Sequence, residues 1–417
     1  MALLIIHRGF RFGGIETFYL RLARYRKKNN FKTYFLIFSD RKKCDLDLVQ
    51  NLEDVSNVFY KKDISKNNFS KIFNYSNLNI NKIKYFFSEI NHIHTSNGET
   101  AVIGIDIIKI LHQRVKLTVG FYSSREFTWG NYKELPYFEK VHRNLVLKHI
   151  SKNNLYLYSE GMNDFYEKET GIEFKGAQTF RIGVIDKYNS SDIKIKNLIS
   201  KKIKICSVTR LVNYKKYIFA MIDTVKNLVK DGIDAYYDIY GYGPLYVSIR
   251  KKIIDLKLEE RVKLCGNIEY VNLSRTFKNY DLFFGGGTAI IEASSVGLIS
   301  ITAIESFSGS YCYGYFSDLA KSSYNSKELN HPKLDLLKFI KDYSKKTNIE
   351  KNELAKKHKN CVYIFTMSEC NNNFEDKGLT TNNNFFYSKI RYNFSRAKNI
   401  FLRKYIPKYI NFKQYNY

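Results

Sequence analysis

Apolar runs and helical patterns alternate along the first part of the chain. Residues 3–6 form a short apolar run, which a glycine-containing loop separates from a helical pattern at 15–28. A second apolar run follows at 34–38. A strand, a glycine loop, a helix and a strand in this order are typical of the start of an open parallel sheet. Further strands are predicted at 58–60, 90–94, 116–121, 154–158 and 178–182.

A second α/β series follows a polar segment. Residues 186–202 are rich in Asn, Ser and Lys and lack a firm period, which indicates a linker. After them, strands are predicted at 203–208, 235–240, 262–264, 282–284 and 299–303, and helices at 217–230, 245–255, 273–278 and from 288 onward. We therefore expect two doubly wound parallel-sheet domains with bounds 1–185 and 203–345, followed by C-terminal helices and a tail at 346–417.

The C-terminal tail is basic and amphipathic. After an Asn-rich break at 371–384, residues 385–417 carry eight Lys or Arg and no acidic residue. Apolar side chains recur in this tail at helical spacing, at Ile390, Phe394, Ala397, Phe401 and Tyr405. Such a helix can lie on an anionic membrane surface, where each basic residue contributes roughly 1 kcal/mol. It can equally pack its apolar stripe on the protein itself, and the sequence leaves both open.

Length, charge and cysteine spacing restrict the class of protein. At 417 residues the chain is long enough for two domains. No apolar stretch approaches the ~20 residues of a membrane-spanning helix, and the first apolar run is too short for a signal peptide, so we expect a cytoplasmic protein. The six cysteines show no zinc-site spacing. The formal charge of +28 favours a nucleic acid, an anionic lipid or a phosphorylated substrate as partner, although the bias of a Lys-rich proteome would explain part of it.

The loop after the first predicted strand contains Gly13 and Gly14 directly before a helix. Glycines there allow a ligand to approach the backbone, and the amino end of a helix favours an anion. The spacing differs from the GxGxxG of dinucleotide sites, and a tight turn without a ligand explains the glycines almost as well.

The loop after the first strand of the second domain contains Arg210 and Lys215. Ligands of open α/β sheets bind at the carboxyl ends of strands, so both cations are placed to meet a phosphate group. Arginine offers a planar fork of donors and lysine a point charge, which suits a diphosphate that gains negative charge as it leaves. The alternative is that both are solvated loop cations.

Two more glycine-rich turns end predicted strands of the second domain. Gly241 lies in the turn 240–244, and Gly286, Gly287, Thr288 and Ala289 follow the strand at 282–284. These turns remove side chains from the surface that a ligand would meet, although both can also be purely architectural.

The helix that starts near residue 288 carries a carboxylate on the same face as its first turn. Glu292 lies one turn beyond Thr288, where its oxygens can accept hydrogen bonds from a pair of neighbouring hydroxyls, as on a ribose.

In series, these elements resemble the retaining, metal-independent glycosyltransferases of the GT-B fold, in particular the class that contains glycogen synthases and many bacterial capsule, O-antigen and lipopolysaccharide transferases. The resemblance covers 13–305 and is strongest at 203–303. It implies two Rossmann-like domains that face across a cleft, a nucleotide-diphosphate sugar as donor, and no cofactor or metal. It implies that Arg210 and Lys215 hold the diphosphate and that Glu292 holds the ribose. Gly13 and Gly14 would then approach the donor phosphates or the acceptor from the facing domain.

Two residues bear on recognition of the donor sugar. His94 ends the strand predicted at 90–94, where relatives carry a histidine that contacts this sugar, although a lone histidine at a strand end is more often structural. Relatives also carry two glutamates separated by seven residues; Glu292 matches the second, and the first falls on Phe284. The departure at Phe284 leaves open which group holds the sugar.

The sequence therefore predicts transfer of a hexose from a nucleotide sugar, with UDP as the favoured nucleotide, to a lipid-linked glycan in cell-surface polysaccharide synthesis. No Asp-x-Asp metal motif lies at a suitable strand end. One alternative is a nucleotide-sugar epimerase on the same scaffold, whose additional acid and base residues we cannot place. Another is a non-catalytic, basic membrane- or nucleic-acid-binding protein, although the chain has no helix-turn-helix, zinc-finger or RNP-type sequence and we expect no specific nucleic acid. Arg125 and Glu126 are candidates for acceptor binding on position alone.

Overall fold

The chain folds into two compact units, one formed by Met1–Gly183 with Met367–Tyr417 and the other by Val184–Thr366. The structure is a computed structural model, and it describes residues 2–11, 13–66, 77–112, 114–122, 126–129, 132–159, 161–186, 202–322, 331–375 and 384–405. The predicted linker lies almost wholly outside the described residues.

The first unit is built on a seven-stranded parallel sheet in the order β3-β2-β1-β4-β5-β6-β7. Its strands are β1 (Leu3–His7), β2 (Thr33–Ile37), β3 (Asn57–Tyr60), β4 (His92–Thr95), β5 (Lys116–Phe121), β6 (Leu155–Leu157) and β7 (Gln178–Thr179). Its helices, in chain order, are α1 (Gly14–Lys28), α2 (Leu46–Glu53), α3 (Lys61–Ile64), α4 (Ile80–Phe87), α5 (Gly98–Leu111), α6 (Tyr137–Arg143) and α7 (Met162–Thr170).

Both faces of this sheet are covered, and the first four residues of β1 show why a strand of such a sheet is apolar. Leu4 and Ile6 pack into a core on one face, whereas Leu3 and Ile5 pack into a separate core on the other. Successive side chains of a strand point to opposite faces, so a strand buried on both faces needs apolar residues at every position.

The second unit is built on a seven-stranded sheet in the order β10-β9-β8-β11-β12-β13-β14. Its strands are β8 (Lys202–Val208), β9 (Asp234–Tyr240), β10 (Val262–Gly266), β11 (Leu282–Gly285), β12 (Ile299–Ala303), β13 (Tyr311–Tyr315) and β14 (Leu334–Asp335). Its helices are α8 (Tyr217–Lys230), α9 (Tyr246–Asp255), α10 (Tyr270–Phe277), α11 (Gly287–Ser295), α12 (Phe316–Leu319), α13 (Leu336–Ser344) and α14 (Asn348–Cys361). The prediction of two parallel sheets is confirmed, and the antiparallel edge formed by β13 and β14 is an addition to it.

The C-terminal helices divide between the two units. His358 of α14 is hydrogen-bonded through Nε2 to the carbonyl oxygen of Ser300, at 3.0 Å, which ties this helix to the second sheet. From Met367 the chain belongs to the first unit, through α15 (Met367–Glu375) and α16 (Lys389–Tyr405). The division therefore falls at 366/367 rather than at the expected 345/346, and α15 contains the first five residues of the expected Asn-rich break. No helix in the described residues is long and apolar enough to cross a membrane.

Both sheets reverse their strand order at one point. In the first unit the order turns between β1 and β4, and in the second between β8 and β11. At such a point the loops that follow two adjacent strands separate to opposite faces and leave a crevice at the carboxyl edge. The predicted loops at Gly13, Arg210 and Gly286 follow β1, β8 and β11, so the fold places each of them at a switch point.

Candidate functional site

The loop after β8 and the turn after β9 are held together by main-chain hydrogen bonds. The amide of Thr209 donates to the carbonyl of Tyr240 at 3.0 Å, and the amide of Leu211 donates to the carbonyl of Tyr242 at 3.1 Å. Gly241 lies between these contacts with φ +132°, and a Cβ there would stand 1.8 Å from the carbonyl oxygen of Thr209. Because only glycine fits so close to this carbonyl, Gly241 determines the path of the loop that carries Arg210.

The two predicted phosphate-binding cations differ in their surroundings. Arg210 is exposed, on the stretch of loop that packs against the Gly241 turn. Lys215 is buried, and its Nζ forms an ion pair with Oε1 of Glu305. The Lys215 ammonium also lies 5.4 Å from the ring centroid of Tyr214 and 5.8 Å from that of Tyr217, within cation–π range. Lys215 is therefore held in one position, whereas Arg210 faces solvent.

The surroundings of Lys215 keep its side chain charged. Burial by itself lowers the pKa of this ammonium, but the electrostatic influence of Tyr217 and Glu305, with the hydrogen bond to Glu305, outweighs burial and raises the pKa above its usual range. Lys215 therefore carries a full positive charge at neutral pH.

Glu305 was not among the residues predicted from the sequence. It follows β12, two residues past the strand end, and its side chain is 24% exposed. The next residue, Ser306, has φ +56° and donates its amide to the carbonyl of Tyr214 at 2.7 Å. This bond joins the loop after β12 to the loop after β8 and brings Glu305 to Lys215. The one available sequence signal was a carboxylate just past a predicted strand.

The glycine turn after β11 leads directly into α11. Gly285 ends the strand, Gly286 is the residue before the helix, and Gly287 opens the helix with φ +65°. The amino end of α11 thus lies at the carboxyl edge of the sheet, where it favours an anion. Thr288 and Ala289 of the first turn are half-buried, and so is Glu292 one turn further on. Thr288, Ala289 and Glu292 thus all lie within the first two turns of α11.

Phe284 lies inside β11 rather than in a loop. Its side chain is fully buried, with its ring 5.5 Å from the ring of Tyr217 at an interplanar angle of 86°. Because Gly286 alone separates strand from helix, the position that would carry the first glutamate of the pair falls within the core. Phe284 is therefore a packing residue, and a carboxylate in its place would be buried in the core.

In the first unit, Gly13 precedes α1 and Gly14 is its first residue. A Cβ on Gly13 would stand 2.5 Å from Oε2 of Glu16. Oε1 of the same carboxylate lies 3.3 Å from Nε2 of His7, and Nδ1 of His7 lies 2.8 Å from Oγ of Ser96, which follows β4. A polar cluster of His7, Glu16 and Ser96 therefore lies at the switch point of this sheet, beside the predicted glycines. The sequence analysis did not identify it.

His94 lies in the interior of the first unit. It is fully buried, with Nδ1 2.9 Å from Oγ1 of Thr118 and Nε2 2.7 Å from the hydroxyl of Tyr122. Burial, together with the neighbouring His92, lowers its pKa well below the usual range. With both ring nitrogens bonded to protein groups, His94 is placed as a neutral structural histidine. The geometry thus gives no support to the expected contact with the donor sugar.

Metal ligands and the candidate acceptor residues add little to the site. The described residues contain no group of three or more His, Cys, Asp or Glu side chains close enough to hold a metal ion. Glu126 is buried, and Arg125 lies outside the described residues.

A known family model matches most of the second unit. Residues 189–353 match the family model described as glycosyl transferases group 1. A search of curated protein sequences finds no match.

Many solved structures share the architecture, including the following three. HepE of Anabaena, solved with UDP and glucose, is 15% identical with a TM-score of 0.60, over 90% of this chain and 98% of HepE. A glycosyltransferase of Rickettsia africae is 17% identical with a TM-score of 0.58, over 96% of this chain and 98% of the other. The lipopolysaccharide outer core galactosyltransferase WaaB, in its apo form, is 12% identical with a TM-score of 0.56, over 90% of this chain and 99% of WaaB. Residues 189–353 therefore resemble a glycosyl transferases group 1 domain, and the two units of the chain have the architecture of the GT-B fold.

Proposed function

We propose that the protein transfers a sugar from a nucleoside-diphosphate sugar, with UDP as the nucleotide, to a hydroxyl group of a lipid-linked glycan. The observation that carries this proposal is the pair of cations on one loop at a switch point, exposed Arg210 and buried Lys215, in a sheet whose next strand leads into the amino end of α11. HepE, solved with UDP and glucose, supports the choice of nucleotide.

The two cations have complementary roles in this proposal. When the bond between the sugar and the diphosphate breaks, negative charge develops on the departing phosphate oxygen. Lys215 supplies a charge that is already fixed in place by Glu305 and two aromatic rings, so little reorganisation accompanies the reaction. Arg210 supplies a planar fork of donors that closes on the phosphates from solvent.

Glu292 and the glycine turn complete the proposed donor site. The carboxylate of Glu292 accepts hydrogen bonds from the ribose hydroxyls, and the backbone at 286–289 lets the diphosphate approach the amino end of α11. Lys215, Arg210 and this helix end would supply the charge stabilisation that other transferases obtain from a metal ion, so we propose a metal-independent reaction without a cofactor.

The acceptor, the stereochemistry and the location rest on resemblance. We propose retention of the anomeric configuration, as in the class that the motif series resembles. Likeness to the lipopolysaccharide outer core galactosyltransferase WaaB favours a glycan of the cell surface as acceptor. We propose that this glycan is extended on the cytoplasmic side of the membrane. Determination of the product anomer by NMR tests the stereochemistry.

Ligand-induced stabilisation tests the donor site. A ligand that binds only the folded protein raises its melting temperature, and about 100 Kd of free ligand adds about 2.7 kcal/mol. We expect UDP and UDP-sugars to raise the melting temperature of the wild type more than GDP, ADP or inorganic diphosphate, and to have little effect on Lys215→Ala. Equal shifts with all nucleotides, or an undiminished UDP shift in Lys215→Ala, would contradict the proposed site.

Incubation with the donor alone separates transfer from epimerisation. A transferase leaves the donor sugar unchanged, or hydrolyses it slowly, until an acceptor is supplied. A new sugar epimer that forms without acceptor would replace the proposal with an epimerase.

A further inference from the structure

Helix α16 is anchored to the first unit by one of its faces. The hydroxyl of Tyr392 lies 2.7 Å from Nε2 of His142, and Arg396, one turn later, forms an ion pair with Glu99. At the start of the helix, Nζ of Lys389 lies 3.1 Å from Oδ2 of Asp106, which is buried. These contacts fix the orientation of α16 on the protein.

The opposite face of α16 is apolar and exposed to solvent. Ile390, Phe394 and Phe401 are 86%, 63% and 60% exposed, and Ala397 lies between them at the same helical angle. These four residues are spaced four, three and four positions apart along the helix. They therefore form a single stripe, on the side away from Tyr392 and Arg396. The expected alternative, in which this stripe packs on the protein itself, is therefore wrong for these three side chains. We call Ile390, Phe394, Ala397 and Phe401 the outer stripe.

Basic side chains flank the outer stripe. Arg391 and Lys398 are exposed on one side of it, and the guanidinium of Arg391 rests 4.4 Å from the ring centroid of Tyr137. The whole segment 385–417 has eight Lys or Arg and no acidic residue. The charged side chains that flank the outer stripe on this side are therefore basic.

We propose that the outer stripe of α16 and its flanking cations bind the surface of an anionic lipid bilayer. Apolar side chains between basic ones suit the boundary between headgroups and acyl chains, where the rings enter the apolar layer and the cations meet lipid phosphates. A second copy of this chain is a poorer partner, because it would bring the same positive charge against itself. A nucleic acid would pair with the cations but leave the apolar stripe unused. The proposal does not depend on the reaction that the enzyme catalyses.

Co-sedimentation of the full-length protein with lipid vesicles tests this surface. We expect binding to mixed phosphatidylglycerol and phosphatidylcholine vesicles, at least tenfold weaker binding to pure phosphatidylcholine, and weakening by salt. The variant Phe394→Ser/Phe401→Ser should lose at least tenfold in affinity for the anionic vesicles, since both side chains are exposed, and circular dichroism should show the variant folded. Lys398→Glu should weaken the same binding.

A matched control uses an exposed aromatic residue on another helix of the same unit. Tyr85 of α4 is 80% exposed, and Tyr85→Ser should leave vesicle binding unchanged. Equal binding of the wild type and the Phe394→Ser/Phe401→Ser variant would overturn the proposal. So would equal binding to anionic and neutral vesicles, or a wild-type dimer in sedimentation velocity that this variant abolishes. UDP-induced stabilisation should be the same in all variants, so loss of vesicle binding is distinguishable from failure of the donor site.

Discussion

Lys215 and Glu305 form an ion pair that joins the loop after β8 to the loop after β12. The lysine is buried and the carboxylate is partly exposed, so the pair presents a charged edge to solvent. A diphosphate that binds Lys215 must share the ammonium with Glu305 or displace it. The carboxylate therefore positions the cation and also competes with the ligand, and these two effects can be separated by mutation.

Substitution of Lys215 by alanine should lower kcat about 10²- to 10³-fold, as expected for removal of one fixed group that stabilises charge in the transition state. The neighbouring Lys216 is exposed and provides the matched control, for which Lys216→Ala should retain activity. Circular dichroism should show both variants folded. Near-wild-type turnover by Lys215→Ala would show that this lysine has no catalytic role.

Substitution of Glu305 by glutamine should strengthen UDP binding but slow turnover. Without the carboxylate, UDP no longer competes with a negative charge, so its Kd should fall several-fold; the less firmly held lysine should lower kcat about tenfold. Calorimetric UDP binding and initial-rate kinetics measure the two effects. Since the paired residues act together, Lys215→Ala/Glu305→Gln should be no worse than Lys215→Ala alone. An additive loss in the double variant would mean that Glu305 acts independently of Lys215.

The fold was largely predictable because buried parallel strands are continuous apolar runs. The twelve strands β1 to β12 coincide with predicted runs to within a few residues. Helix α5 was missed because nearly all of its residues are buried, so its sequence has no polar face to give a helical period. Strand β13 was missed because its sequence, with Gly314 in it, is short and lacks a clear alternation.

The site was only partly predictable because two of its features depend on distant contacts. Glu305 reaches Lys215 across 90 residues of sequence, and no local pattern marks such a pair. The burial of His94 depends on Tyr122 and on the rings of Tyr19 and Phe374, which come from separate parts of the chain. Loop positions at strand ends, by contrast, follow from the order of strands and helices.

Substitution of Gly241 by alanine should destabilise the protein and weaken UDP binding at least tenfold, because the new Cβ would force the Thr209 carbonyl and the Arg210 loop to move. Gly232→Ala is the matched control: Gly232 also has a positive φ, of +81°, but a Cβ there meets nothing within 4 Å. Both variants carry the backbone strain of about 1 kcal/mol, so the difference between them reports the clash. Thermal melts with and without UDP measure both effects. Equal behaviour of the two variants would show that the turn does not set the Arg210 loop.

Phe284 gives a test of the missing glutamate. If a carboxylate at this position belonged in the donor site, Phe284→Glu would improve turnover. We expect instead a large loss of melting temperature and of soluble protein, because the substitution buries a charge against Tyr217 at a cost of several kcal/mol. Phe284→Leu, which keeps an apolar side chain, should stay folded and retain donor binding. A Phe284→Glu variant that is folded and more active than the wild type would show that this position belongs to the donor site.

Glu126 should make the protein less stable as the pH rises through neutrality. Burial, with the nearby carboxylate of Glu139, raises the pKa of Glu126 to about 8, whereas an unfolded chain has a glutamate pKa of about 4.3. Between these two values the folded protein holds a proton that the unfolded chain has lost. The free energy of unfolding contributed by Glu126 therefore falls from about pH 4 to about pH 8 and is constant above that range.

Glu126→Gln removes this titration and should stabilise the protein at pH 8, by up to roughly 5 kcal/mol at 1.36 kcal/mol for each pKa unit. At pH 4.5 the two proteins should melt at nearly the same temperature, since the wild-type carboxyl is then protonated in the folded state and half-protonated in the unfolded state. Thermal melts across this range measure the difference. A gap in melting temperature that does not grow with pH would mean that Glu126 is ionised in the folded protein, and hence open to solvent or paired with a cation.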